Sequence, residues 1–115
     1  MKYSSTNNLL SVLDNFTMDN SDDISMDIAN DFRRRRIEKN LTREEVADKA
    51  GVAVSNIVRF EQKGLISLKN LIELAIAMGY VSEVKQIFSQ PKYQTIEELT
   101  EIRKNSKKKR VSKHD

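Results

Sequence analysis

The sequence predicts an all-α domain of five helices, and three observations carry that prediction. Apolar residues recur at helical spacing, with no stretch carrying a strand signal. Helix-start signals stand at Thr42 and Ser67, and glycines at 51, 64 and 79 follow the periodic runs as stop signals. The chain has 115 residues, enough for one modest core plus tails and too few for two. On this reading residues 1–20 are a flexible N-terminal arm, 21–90 the helical domain, and 91–115 a short helix with a basic tail.

Residues 1–20 are rich in Ser, Thr, Asn and Asp but contain Leu9, Leu10, Val12, Leu13 and Phe16. Leu9, Leu13 and Phe16 share one helical face. The arm reads either as a frayed segment or as a docking helix that folds on a partner or a second copy. Ser21 is expected to cap the first domain helix, with Asp22, Asp23 and Asp27 near its positive end. Ile28, Phe32 and Ile37 supply its expected core stripe. Arg33 to Arg36 follow one another, and at about 100° per residue they cannot share a face. Asn40 suits a left-handed stop before Leu41.

Thr42 with Glu45 three residues on forms a capping box. Val46, Ala47 and Ala50 then fall on one face, and Gly51 follows where a left-handed residue ends the helix. Past Val52, a buried pivot, a second helix runs from about Val54 to Gln62. Ile57 and Phe60 face inward, and Gly64 stops it. Two short helices and a tight turn make a helix-turn-helix. Ser67 caps the next helix, which runs to about Met78 with Leu68, Leu71, Ile72, Ala75, Ile76 and Met78 over a wide apolar arc. The fifth helix is expected from about Ser82 to Phe88, with Val81, Val84, Ile87 and Phe88 apolar. Pro91 marks the boundary. Thr95 and Glu98 open a short further helix bearing Ile96, Leu99 and Ile102.

At Leu41-Thr42-Arg43-Glu44-Glu45-Val46-Ala47-Asp48-Lys49-Ala50-Gly51-Val52, followed by Ile57-x-Arg59-Phe60-Glu61, the chain resembles the Cro/C1-type (XRE) family of DNA-binding domains over residues 24–88. The resemblance implies a lambda-repressor-like fold that reads double-stranded DNA. It departs at Ala53, where such families often carry a Ser or Thr cap; Ser55 is the alternative cap two residues later. By the resemblance Val54, Ser55 and Arg59 face the major groove, with Asn56 beside them, and Arg36 pairs with Glu61. In many relatives the last domain helix helps form a dimer. More loosely, residues 88–110 are similar to the tails of HipB-like antitoxins encoded beside HipA-type kinases.

Residue chemistry ranks the proposed readers. Arg59 can present a fork to guanine, Asn56 can read adenine or hold backbone, Ser55 can donate to base or phosphate, and Val54 offers only apolar contact. Phosphate contacts are expected at helix starts, where free N–H groups face outward: Thr42 and Arg43 at one, Ser67, Lys69 and Asn70 at the next. Gln62 and Lys63 flank the loop between. For Lys63 and Lys69 an ordinary surface lysine is the equal alternative. Val58 is an apolar residue on what should be the outer side of the second motif helix.

Composition closes other routes. There is no Cys, and the single His is His114, so neither a Ser-His-Asp nor a Cys-His device can be assembled. No phosphate-binding glycine loop is present, and no enzyme, metal site or cofactor is expected. No run approaches the ~18 apolar residues of a membrane span, and MKYSSTNN has no apolar signal region, so a cytoplasmic, nucleoid-associated protein is expected. Net charge is +3, yet residues 103–115 carry +6 and the remainder −3. A basic tail fits a nucleic-acid partner; it also fits a segment docking on a toxin, or solvated disorder. The reading is therefore a dimeric, sequence-specific repressor, the autoregulating antitoxin of a HipA-like kinase, with a plain regulator lacking a toxin partner as the alternative.

Overall fold

A computed structural model of the chain describes residues 20–108. Among them are six helices and no strand: α1 Ser21–Glu38, α2 Arg43–Ala50, α3 Val54–Lys63, α4 Leu68–Met78, α5 Val81–Lys85 and α6 Ile96–Asn105. The expected docking residues Leu9, Leu13 and Phe16, and the tail beyond Lys108, lie outside the described residues. None of the six helices is long and apolar enough to cross a membrane. Two compact units divide after Tyr80, whereas the sequence's strongest punctuation is Pro91. Gly79, left-handed at φ +84°, ends α4 just before that division.

The first unit holds the core. Val46 and Ala47 of α2, Val52 of the turn, Ile57 and Phe60 of α3, and Leu74 and Met78 of α4 are buried around Ala29 of α1. Phe32 of α1 meets Phe60 at a ring separation of 5.4 Å, tilted by 50°, within the range where aromatic pairs attract.

Three expectations need correction. Asn20 rather than Ser21 caps α1, its side-chain oxygen accepting the Asp23 N–H at 2.8 Å. The inward stripe of α1 is Ala29, Phe32 and Arg36, while Ile28 and Ile37 are about half exposed. That stripe steps by three and four residues, as a helix face must, and includes a charged residue that an apolar pattern search passes over. In α4 the core takes Leu71, Leu74, Ala75 and Met78, and leaves Leu68, Ile72 and Ile76 exposed. The apolar arc of this helix is wider than the face it buries, so periodicity alone could not choose which part turns inward.

Turn residues behave as their chemistry dictates. Asn40, Gly51 and Gly64 are all left-handed, at φ +58°, +68° and +70°. Gly64 has a second reason to lack a side chain. A Cβ there would lie 3.1 Å from Ser25 and from the Met26 sulfur, so α1 packs directly on the end of α3.

The second unit is sparer. α5 spans only Val81–Lys85, shorter than expected, and no residue in it is buried. Ile87 and Phe88, expected within it, are exposed, Phe88 at 95%. In α6 the Thr95 hydroxyl accepts the Glu98 N–H at 3.0 Å, but the Glu98 carboxylate takes the N–H of Gln94, not that of Thr95. Ile96 is exposed, and Leu99 and Ile102 are half-buried.

Candidate nucleic-acid interface

The two motif helices, α2 and α3, begin in contrasting ways. At α2 the Thr42 hydroxyl accepts the Glu45 N–H at 3.0 Å while the Glu45 carboxylate accepts the Thr42 N–H at 2.8 Å. Both residues are thereby engaged, and Glu44 and Glu45 fill the first turn with negative charge. At α3 the capping position is Ala53, with extended backbone and no side-chain hydrogen bond, and the first turn holds no acid. Ser55 does not act as the cap; it lies inside the helix. The Asn56 N–H donates to the Ala53 carbonyl at 3.0 Å, while the N–H groups of Val54 and Ser55 have neither a side-chain cap nor a carboxylate in their turn.

Along α3 the apolar residues Ile57 and Phe60 point into the core. Ser55, Asn56, Arg59, Gln62 and Lys63 are exposed, and their spacing groups them around Arg59 on the opposite face. Val54 differs from its neighbours: it is half-buried and packs against the core. Val58 is also half-buried. Asn56 and Arg59 line a hollow of about 370 Å³ whose other walls are Leu65, Ile66, Ser67 and Asn70. This hollow joins the exposed face of α3 to the start of α4. There the Ser67 hydroxyl accepts the Asn70 N–H at 3.1 Å, which leaves its own O–H able to donate. No acid occupies the first turn of α4, and Lys69 is exposed in it.

The far end of α3 is held by charge. Glu61 is 4% exposed and Arg36 8%. Arg36 donates from Nε and Nη2 to the two Glu61 oxygens at 2.7 and 3.0 Å, and from Nη1 to the Leu41 carbonyl at 2.8 Å. One guanidinium therefore fixes the end of α3, the body of α1 and the loop into α2. Arg43 also donates from Nε to Glu61 Oε1, at 2.9 Å, and Arg33 Nε stands 4.0 Å from the same oxygen. The other two arginines of the run pair locally, Arg34 with Asp31 at 2.9 Å and Arg35 with Glu38 at 2.6 Å. Burial by itself raises the Glu61 carboxyl. The hydrogen bonds and positive charges of Arg36 and Arg43 outweigh that, and hold it below the usual carboxylate range.

The gathering of Arg33 and Arg43 on Glu61 was not anticipated from the sequence. Half of the signal was there, because Arg33 and Arg36 stand three apart on one helix face. Leu65 and Ile66, expected only as a loop leading to Ser67, form two walls of the hollow. Among the described residues no cluster of His, Cys, Asp or Glu could hold a metal ion.

Residues 32–85 match the family described as Helix-turn-helix. That span runs from Phe32 of α1 through α2, α3, α4 and α5. No curated protein matches the chain.

Proposed function

Residues 32–85 belong to the XRE-type helix-turn-helix family, which makes the protein a DNA-binding transcriptional regulator, and from that premise we propose a dimeric, sequence-specific repressor. The observation that carries this reading is the exposed face of α3, where Asn56 and Arg59 border one hollow with Ser67 and Asn70. In a helix-turn-helix the second helix enters the major groove, and its early residues meet base edges. Arg59 is the principal reader, offering two donors to guanine, and Asn56 and Ser55 supply further base or backbone contacts. Val54, being half-buried, contributes through its exposed edge to a thymine methyl. Ser67, Lys69 and Asn70 hold a phosphate beyond the hollow; Gln62 and Lys63 approach the backbone between, and Thr42 and Arg43 meet it at the start of α2. A dimer of such units reads a two-fold operator with half-sites about one helical turn (~34–36 Å) apart.

A finer role is supported by the second unit, whose Ile87, Phe88, Tyr93 and Ile96 are exposed. An exposed apolar set of this kind suits a protein partner, and the resemblance of residues 88–110 to HipB-like tails names a HipA-like kinase as the occupant. In that role the protein is an autoregulating antitoxin that holds the kinase by contact.

Fluorescence anisotropy on the gene's own upstream DNA and on a scrambled duplex, across a salt series, tests the first reading. A preference for the upstream DNA that survives physiological salt is expected. Equal and steeply salt-dependent binding to both duplexes would remove sequence specificity from the proposal. Co-purification with a kinase encoded beside this gene tests the second.

A further inference from the structure

Three arginines on one buried carboxylate are more than the fold requires. Arg36 alone supplies both of its oxygens with donors and is nearly enclosed, so it satisfies the carboxylate and closes the core. Arg43 and Arg33 add charge without being buried: their side chains are 32% and 55% exposed. Arg43 donates from Nε to Glu61 Oε1 at 2.9 Å and Arg33 Nε stands 4.0 Å from the same oxygen, so one carboxylate oxygen gathers two part-exposed guanidiniums from different helices. With the single negative charge of Glu61 set against three positive ones, the cluster carries two in excess. Arg43 is the first residue of α2, the helix of this motif that crosses the DNA backbone.

We propose that Arg33 and Arg43 form a paired guanidinium clamp for one DNA phosphate, with Glu61 as the positioning residue that aims both. The inference rests on the DNA-binding reading above and deepens it. Guanidinium forks match phosphate geometry, and Arg43, whose Nε is already bound to Glu61, reaches the phosphate with less freedom left to lose. The arginine run is thereby divided by task. Arg34 and Arg35 neutralise acids on their own helix, while Arg33 joins Arg43 across two helices.

The test is the salt dependence of binding by the full chain to a random-sequence duplex of roughly 20 base pairs, since a phosphate contact carries no sequence information. Loss of one phosphate contact should lower the slope of log K against log[salt] by about 0.9. The double variant R33Q/R43Q is expected to show that drop. R34Q makes the same single charge change as R33Q, on the same helix, and should leave the slope within error of wild type. R43K keeps the charge and is expected to retain the slope while binding more weakly. R33Q removes only the 4.0 Å ion pair at Glu61 and leaves the Arg36 and Arg43 hydrogen bonds to it in place, so its own weakening of binding can be read even if R43Q impairs folding. If R33Q and R33Q/R43Q cannot be told from R34Q while wild type binds, the clamp is wrong and the DNA reading stands. If wild type shows no salt-dependent binding to any duplex, both fall together.

Discussion

Only Gly51, Val52 and Ala53 separate α2 from α3, yet the two helices begin in opposite ways. α2 begins behind a complete capping box with two acids in its first turn; α3 begins behind an alanine that caps nothing. Capping by Ser, Thr, Asp or Asn in place of Ala stabilises a helix by about 0.5–2 kcal/mol, so α3 forgoes that stabilisation at its N-terminus. Its stability comes from the other end, through Ile57, Phe60, Glu61 and the stop at Gly64. A helix anchored at its C-terminus and bare at its N-terminus can present unoccupied N–H groups to an anionic ligand without loosening the fold. The buried anchors of this ten-residue helix therefore begin at Ile57, beyond its uncapped first turn.

The largest way to break this arrangement is to remove the anchor. Glu61→Ala strands the buried Arg36, and loss of one partner from such a pair costs about 3–5 kcal/mol. In a small domain that is a large share of the total, so a melting curve should shift steeply downward or lose its cooperative transition. Acid should act on the same contact. Because the folded-state pKa of Glu61 is lowered, its contribution is complete above the ordinary glutamate value of about 4.3. It is lost as pH falls from there through the lower folded-state value. Stability of the wild type should therefore decline more steeply below about pH 4.3 than that of Glu61→Gln. Parallel declines would show that Glu61 is not the controlling carboxylate.

The recognition face comes next in size. Arg59→Ala should weaken specific DNA binding by roughly 1–3 kcal/mol and relax the preference at one base pair, with the melting temperature unmoved because Arg59 is exposed. A selection of binding sites before and after the substitution would read the change. Unaltered specificity would assign the reading to Asn56 and Ser55 instead.

The same division explains what could be read from the chain. Helix existence, the turn at Gly51, the capping box at Thr42 and the inward Ile57 and Phe60 follow from local chemistry, and local chemistry is written in consecutive residues. The buried face of α1 was not legible in that way. Its inward positions are an alanine, a phenylalanine and an arginine, and Arg36 is inside only because Glu61, 25 positions away, meets it there. No periodicity links those two; only the family resemblance pairs them. The face that α4 buries was hidden for the opposite reason, since it is apolar on several sides and the choice belongs to its neighbours. Likewise, the wall that Leu65 and Ile66 add to the hollow depends on how the loop returns past α3. The recruitment of Arg33 and Arg43 to Glu61 needs three segments at once.

A smaller change sharpens the comparison by exchanging the two starts. Thr42→Ala removes one half of the α2 box and should cost about 1 kcal/mol of stability, measurable as a lower urea midpoint, while DNA binding loses at most the one phosphate contact assigned to Thr42. Ala53→Asp does the reverse at α3. The backbone at Ala53 is already extended, at φ −61° and ψ 140°, as a capping residue requires, so the new carboxylate can accept an N–H of the first turn. A gain in stability of ~0.5–1 kcal/mol is expected. DNA binding should fall nonetheless, because the carboxylate occupies the donors and places negative charge where the duplex approaches. Ala53→Ser separates the two effects: it caps without charge and should stabilise with a smaller loss of affinity. Stabilisation with undiminished binding in both variants would mean that the bare start of α3 is not used by DNA, and that its missing cap reflects no functional demand.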